Sequence, residues 1–348
     1  MHPVTFLLPY IMPLGFAGAA VWGGQAWLIV PVVAFGAVPA LDVLVGADAR
    51  VRDETAPRPA AFDAILALWV PTQLACIVTG VVLAPHWSPL QLLGFALACG
   101  IVSGGGGITV AHELCHRKAT WARAGAEVLM ASVLYPWFTV EHVLGHHRNV
   151  ATPVDPATSR LGESVYTFWF RSVFGGLRSA WGLEGERVHK RGIVGLRDRR
   201  LRMGLEMMLV VAVALALGGP WGLLFAGIQA VIGVTLLEVI NYVEHYGLQR
   251  QRLPTGRYER VQPQHSWNSN QALTNRFLFN LQRHADHHAF AYRPYDHLRP
   301  WLDAPELPLG YPSMVMLALV PPLWRRVMDP RVAALHRPSP TPTEALAK

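Results

Sequence analysis

The side chains in this sequence most able to do chemistry are its histidines. Fifteen occur, and nine of them fall into four groups. "HELCH" sets His112 and His116 four residues apart, and "EHVLGHH" repeats that interval with His142 and His146 and adds His147. "QRHADHH" spaces His284, His287 and His288 at i, i+3, i+4, while His245 stands alone in "NYVEHYG". Residues three and four apart share one helix face, so each cluster presents its rings together. Protonated together, such rings would repel and be costly to bury, whereas neutral imidazole is the commonest metal ligand. Nine nitrogens exceed what one ion ordinarily takes, so the pattern predicts two metal ions.

Carboxylates adjoin each group: Glu113, Glu141, Glu244 and Asp286, with Asp155 a little downstream of the second. They are expected to fix imidazole tautomers and strengthen the ligands, with a metal-bridging role open for one of them. Taken singly, each reads equally well as a solvated helix residue. His2, His86, His189, His297 and His336 read as structural or solvated. His265, in "QPQHSWNSN", either joins the site or belongs with Trp267, Asn268 and Asn270 to a loop that covers it.

"HELCH" is also H-E-x-x-H, the zinc-peptidase pattern in which the glutamate is the general base. A zinc peptidase needs three protein ligands and a water, which would leave six clustered histidines without a role. Zinc is also redox-inert. Two histidine-rich ions beside a membrane cavity fit oxygen activation by iron better. A metal transporter would place ionisable groups in mid-membrane, and here nearly all of them lie at the ends of the apolar runs.

Those runs are the elements that must position the histidines. The chain has 348 residues, is 52% hydrophobic and 15% charged, a composition outside the ordinary soluble class. No acidic or basic residue occurs from Met1 to Leu41, only Asp63 interrupts Pro59–Ala111, and only Glu206 interrupts Met203–Leu237. One crossing takes about 20 apolar residues, so each run holds two. Splitting them at "VWGGQ", "APHWSP" and "LGGPWG" predicts six spans near 4–21, 25–46, 61–84, 89–112, 203–219 and 221–243. With the N-terminus inside, the three short connections face outward without a basic residue, and all 30 Lys and Arg fall on the other side. This is a strong positive-inside bias. The net charge of +7 therefore follows from topology and anionic lipid headgroups rather than nucleic acid, for which no binding motif is present.

Every histidine group stands at or beyond the inner end of a span. The expected architecture is thus an all-α membrane protein, six transmembrane helices under a cytosolic histidine-rich di-metal cap. It forms one domain over 1–337, followed by a disordered tail over 338–348. "WARAGAEVLMASVLYPWFTV" at Trp121 is expected to turn back on the site side, because a full crossing would separate His142 from His116. "SMVMLALVPPLWRRVM" at Ser313 is too interrupted to span and is expected to rest on the membrane interface. "GGGG" at Gly104 reads as close helix packing or, alternatively, as room for a ligand. Ala34 and Ala37 in the second span hint at room for longer substrates. The N-terminus lacks the basic start of a signal peptide and is expected to be retained. Cys76, Cys99 and Cys115 form no C-x-x-C pair and read as small buried hydrophobes.

The three boxes "HELCH", "EHVLGHH" and "QRHADHH" resemble the membrane-bound di-iron desaturase and hydroxylase superfamily. The flanking "HHRNVATPVDPATSRLGES", "NYVEHYGLQR", "PQHSWNSN" and "LGYPSMVMLALVPPLWRRVMDPRV" are similar to the alkane 1-monooxygenase family in particular, from about Pro39 to Val332. Cys115 departs from that family's usual small residue between two ligands. The resemblance implies two irons held by His112, His116, His142, His146, His147, His245, His284, His287 and His288. It also implies hydroxylation of the terminal methyl of n-alkanes with O2, and electrons from rubredoxin and its reductase. The implied location is the cell inner membrane, multi-pass, with the site toward the cytoplasm. A methyl-arene monooxygenase or a fatty-acyl desaturase would keep the same histidines and change the channel.

Overall fold

A computed structural model describes residues 1–335 except Glu54 and Ala56. The expected disordered tail over 338–348 and His336 lie outside the described residues. Among those residues the chain is helical, with three isolated β-bridges and no strand. In chain order the helices used below are α1 (Pro3–Trp22), α2 (Ala26–Val45), α3 (Ala61–His86), α4 (Pro89–Cys115) and α5 (Thr120–Ser132). The remainder are α6 (138–149), α7 (Val165–Arg191), α8 (Arg199–His245), α9 (Ala272–Phe277), α10 (His284–Ala289), α11 (Tyr311–Ala318) and α12 (Pro321–Leu335).

Five of these helices, α1, α2, α3, α4 and α8, are long and apolar enough to cross a membrane. α8 has 47 residues, which as one rod would reach about 70 Å, over twice a bilayer's apolar thickness. It is not one rod. Gly219 takes φ 57° and ψ −151° ahead of Pro220, a conformation that favours glycine. A methyl placed on Gly222 would meet the Ala214 carbonyl oxygen at 2.8 Å, although eight residues of continuous helix span about 12 Å. The two arms of α8 therefore fold back on each other. The same methyl would come within 3.2 Å of the Val81 carbonyl, so this turn lies beside the C-terminal end of α3. There the α3–α4 connection is stopped by Ser88, whose hydroxyl and backbone exchange hydrogen bonds with Gln91, a capping box.

The opposite end of the bundle carries the histidine groups. α5 leaves α4 through a short turn, stops at Leu134 in a left-handed conformation, and α6 brings the chain back. His116 and His142 end 3.0 Å apart, as the turning-back expectation requires. Asp42 of α2 caps α9, accepting from the backbone N–H groups of Leu273 and Thr274 and from the Thr274 hydroxyl. Arg283 is buried and donates to the carbonyls of Leu298, Asp48 and Arg50, fastening α10 to the loop after α2.

The segment from Ser313 forms no helix long and apolar enough to span, as expected, and it packs on protein as well. α11 and α12 break at Leu319–Val320, but Met314, Val315, Ala318, Trp324, Met328 and Val332 are buried against Phe168, Tyr242, Tyr246 and Trp267 in a second core. Burial against protein, not lipid alone, holds this segment; only its outer face, with Met316 and Leu323, is exposed.

Candidate metal centre

Three helix ends and one continuous turn of helix deliver the histidines. α4 ends on His112 and His116, α8 ends on His245, and α10 carries His284, His287 and His288. In α6, residues Glu141–His146 wind as a π-helix, whose wider turn brings residues four and five apart alongside one another. His142 therefore neighbours both His146 and His147.

The nine rings separate into two groups. His112, His116, His142, His147 and His287 form one, and His146, His245, His284 and His288 form the other; within each, the candidate ligand atoms lie within 4.8 Å of one another. Eight of the rings turn Nε2 toward a neighbouring Nε2. His142 approaches His116 at 3.0 Å and His147 at 3.1 Å, and His147 approaches His287 at 3.1 Å. In the second group His146 and His288 are 3.3 Å apart, His284 and His245 3.3 Å, and His288 and His284 2.8 Å. Nε2 of His112 is buried without a hydrogen-bond partner. A first-row ion sits about 2.1 Å from an imidazole nitrogen, which places opposite ligands about 4.2 Å apart. Five and four converging nitrogens fit two such ions with a small inward adjustment. The groups adjoin, His147 stacking on His288 at 4.5 Å.

Burial first, and the neighbouring rings second, push the pKa of His142, His147, His284, His287 and His288 well below the usual imidazole value. His116 is pushed down to about 4, by burial and then by His146 and Arg117. These rings are neutral and offer lone pairs. His146 is the exception: burial opposes its charge, but Asp155, with Glu141 and Glu238, outweighs burial and raises its pKa. His146 Nδ1 donates to Asp155 Oδ2 at 2.9 Å, and Asp155 is held by the Thr158 hydroxyl at 2.6 Å and the Ala157 N–H at 3.1 Å.

The other carboxylates are placed less uniformly. Glu244 Oε2 lies 3.2 Å from His284 Nε2, on the converging side of the ring rather than behind it. Glu113 instead bonds Arg117 at 2.5 Å and the Tyr295 N–H at 3.3 Å. Asp286 bonds Arg293, the Arg299 N–H and the Trp301 indole. Glu141 faces Ser179. His265 stands in neither group; it bonds Glu259 and the Gln262 N–H. The loop around it does cover the site, since Asn268 accepts from the first turn of α10 at Ala285 and Trp267 is buried over Glu244 and Tyr246.

Two cavities meet the centre. One, of about 110 Å³, is apolar and runs between α1, α2, α4, α8 and α11 to His112, His142 and His284. Ala34, Phe35, Leu236, Ile240 and Val315 line it. The Gly104 run divides between both earlier readings. Side chains at Gly104, Gly106 and Gly107 would collide with α8, Trp69 and Gln73, whereas Gly105 faces open space in this cavity. The second, of about 20 Å³, lies on the other side of His142; Trp137, Phe138 and Pro156 give it an apolar wall, and Tyr135, Glu141, His146, Ser172, Glu238 and Asn241 bring polar groups to it.

Reading by boxes missed Tyr135, Glu238 and Asn241. Glu238 had a signal: it ends an apolar run, and its spacing from Asn241 and His245, i, i+3, i+7, puts all three on one helix face.

An all-helical membrane bundle that gathers nine histidines at one end defines the class of histidine-cluster membrane oxidoreductases. The fatty acid desaturase family matches residues 85–318. Alkane 1-monooxygenases 2 and 1 of Pseudomonas aeruginosa are each 44% identical, over 321 and 326 residues. Each match covers 89% of this chain, and 85% and 84% of those proteins. The hydroxylase component of a xylene/toluene monooxygenase of Pseudomonas putida is 27% identical over 331 residues, 92% of this chain and 85% of that protein. The chain belongs to the fatty acid desaturase family and, within it, to the alkane 1-monooxygenases.

Proposed function

We propose that this protein hydroxylates the terminal methyl of n-alkanes to 1-alkanols with O2, at two irons held by the nine histidines, using electrons from rubredoxin and its reductase. The observation that carries the reading is the apolar cavity that ends on His112, His142 and His284. An alkane offers no polar handle, so its binding rests on burial, about 0.8 kcal/mol per methylene. Cavity walls of Ile, Leu, Val and Phe side chains supply that burial and exclude water. Phe138, stacked on His142 at 4.7 Å, narrows the inner end so that a chain terminus, not a mid-chain methylene, reaches the centre. Positioning of this kind must offset the greater strength of the terminal C–H bond. Half-exposed Phe35, Leu236, Ile240 and Pro312 flank the cavity, a side entrance from the bilayer. The two ions would supply the redox chemistry that activates O2.

α8 counts as two crossings because it folds at Gly219, which makes six with α1–α4. The described basic residues fall in segments at the histidine end, which supports a site facing the cytoplasm from the inner membrane. A small acidic electron carrier suits that surface. One membrane-embedded domain over 1–337 accommodates all of this.

A methyl-arene monooxygenase is the second reading, supported by the 27% identical xylene/toluene enzyme. Cells expressing this chain with a rubredoxin system should convert octane and hexadecane to 1-alkanols, read by gas chromatography, and His146→Ala should abolish the product. Benzylic alcohol from xylene without any alkanol would refute the alkane reading.

A further inference from the structure

Hydroxylation has a requirement that the apolar cavity does not meet. The balance is R–H + O2 + 2 e⁻ + 2 H⁺ → R–OH + H2O. The O–O and C–H bonds break, the alcohol takes one oxygen, and the other leaves as water with two protons drawn from solution. The electrons come from the carrier protein. A hydrocarbon channel conducts no protons and releases no water.

The second cavity, which several polar side chains reach, can do both. Glu238, on the inner arm of α8, is 2% exposed, yet its partners are a phenol, a carboxamide and a hydroxyl, not a cation. Tyr135 donates to Oε1 at 2.7 Å, Asn241 Nδ2 donates to Oε2 at 3.4 Å, and the Ser172 hydroxyl faces it. A buried carboxylate whose hydrogen-bond partners are all uncharged, with the His146 ring as its charge neighbour, is costly in a membrane helix, and such groups mark proton or substrate paths. The cavity shared by Glu238 and Tyr135 has room for one water and shares its wall with His142 and His146. Beyond Tyr135, across Gly176, come Glu141 and then half-buried Ser179 on α7, so polar groups continue from the centre toward the outer face of α7. Only Phe138, His142 and Asn241 line both cavities.

We propose that Glu238 and Tyr135 form the proton relay and water outlet of the metal centre, separate from the hydrocarbon channel. The inference rests on the oxygenase reading. Glu238 takes a proton from the water on the Tyr135 side and passes it, through the cavity water, to the oxygen being reduced.

The test compares wild-type enzyme, Glu238→Gln and Tyr135→Phe, each in lipid nanodiscs with its metals and a rubredoxin system. Glutamine keeps the size of the carboxylate and still accepts from Tyr135. Both variants are expected to keep wild-type metal content and thermal midpoint. Alcohol formed per electron pair should fall at least fivefold, with hydrogen peroxide released instead, and the solvent deuterium isotope effect on kcat should rise with KM unchanged. Glu238→Asp should recover part of the coupling. Wild-type coupling and isotope effect in both variants would overturn the relay. Loss of metal together with activity in both would overturn it too, in favour of a structural role. If Glu238→Gln fails to fold, Tyr135→Phe, which removes one oxygen, decides by the same readouts. Wild-type enzyme that makes no alcohol would instead refute the oxygenase reading, so the two failures are distinguishable.

Discussion

Gly105 offers a quantitative test of the hydrocarbon channel. It lies in the π-helical stretch Val102–Ile108 of α4, where a side chain would meet nothing within 4 Å and would project into the cavity. Gly105→Leu adds four carbons there and so displaces about four methylenes of substrate. At about 0.8 kcal/mol for each, an alkane long enough to fill the cavity loses about 3 kcal/mol. That is about a 200-fold loss in kcat/KM at 1.4 kcal/mol per factor of ten. An alkane about four carbons shorter should lose almost nothing. The fold should tolerate the change, because leucine is up to about 1 kcal/mol better than glycine in a helix and the Thr109 hydroxyl still reaches the Gly105 carbonyl.

The assay is competition among C6 to C16 alkanes in whole cells, with products resolved by gas chromatography and the thermal midpoint measured on purified protein. Gly106→Leu is the contrast. Its side chain runs into buried Trp69, so it should lower the midpoint and depress every chain length alike. An equal loss across all chain lengths for Gly105→Leu, with the midpoint intact, would refute the assignment of this cavity to the alkane.

Asp155→Asn removes the charge behind His146 while keeping the shape, and should weaken metal retention at least tenfold, read by chelator titration of the loaded protein; unchanged retention would show that Asp155 serves only its own loop. Glu163 offers a pH test. Burial opposes its charge, but bonds from Arg171, at 2.9 and 2.7 Å, and from the Arg160 N–H hold its pKa below the usual value. A carboxylate depressed in the folded state stabilises fully above its unfolded pKa and loses that contribution as pH falls through the folded one. Acidification from about pH 5 to pH 3 should therefore lower the thermal midpoint of wild type more steeply than that of Glu163→Gln, and parallel slopes would exclude this pair as a contributor.

The parts legible in the sequence are those governed by local periodicity. Apolar run length located the five helices long enough to cross a membrane, and Gly219 and Pro220 marked the fold within α8. Helical spacing gathered His112 with His116 and His284 with His288. What local spacing does not determine is the partition into five and four. That depends on the π-wound turn at Glu141–His146, which sends His142 and His147 to one group and His146 to the other. Carboxylate roles were less legible still. Glu113 adjoins His112 in sequence, but its oxygens turn to Arg117 and to Tyr295, 182 residues away. Asp286 sits between two ligands and bonds Arg293 and Trp301 instead. Adjacent helix residues point about 100° apart, so a carboxylate next to a ligand seldom stands behind it. Asp155, nine residues from His146, reaches it because the loop between them folds back through Ala151, which is left-handed.

The two cavities also account for the position of α6. Hydrocarbon binding requires that water be kept out of one side of the centre, because every wet methylene forfeits the burial that holds the substrate. Oxygen reduction requires protons, and therefore polar groups, on another side. A single cavity meeting both needs would meet neither. α6 supplies the partition: Phe138 and His142 wall both spaces, and Glu141 faces the second. A continuous α-helix from α5 would have carried these residues away from α4 and lost the meeting of His142 with His116. The break at Leu134 and the π turn that follows bring His142 and the wall between the two cavities into one short segment, so a proposed metal ligand also separates the proposed hydrocarbon space from the second cavity.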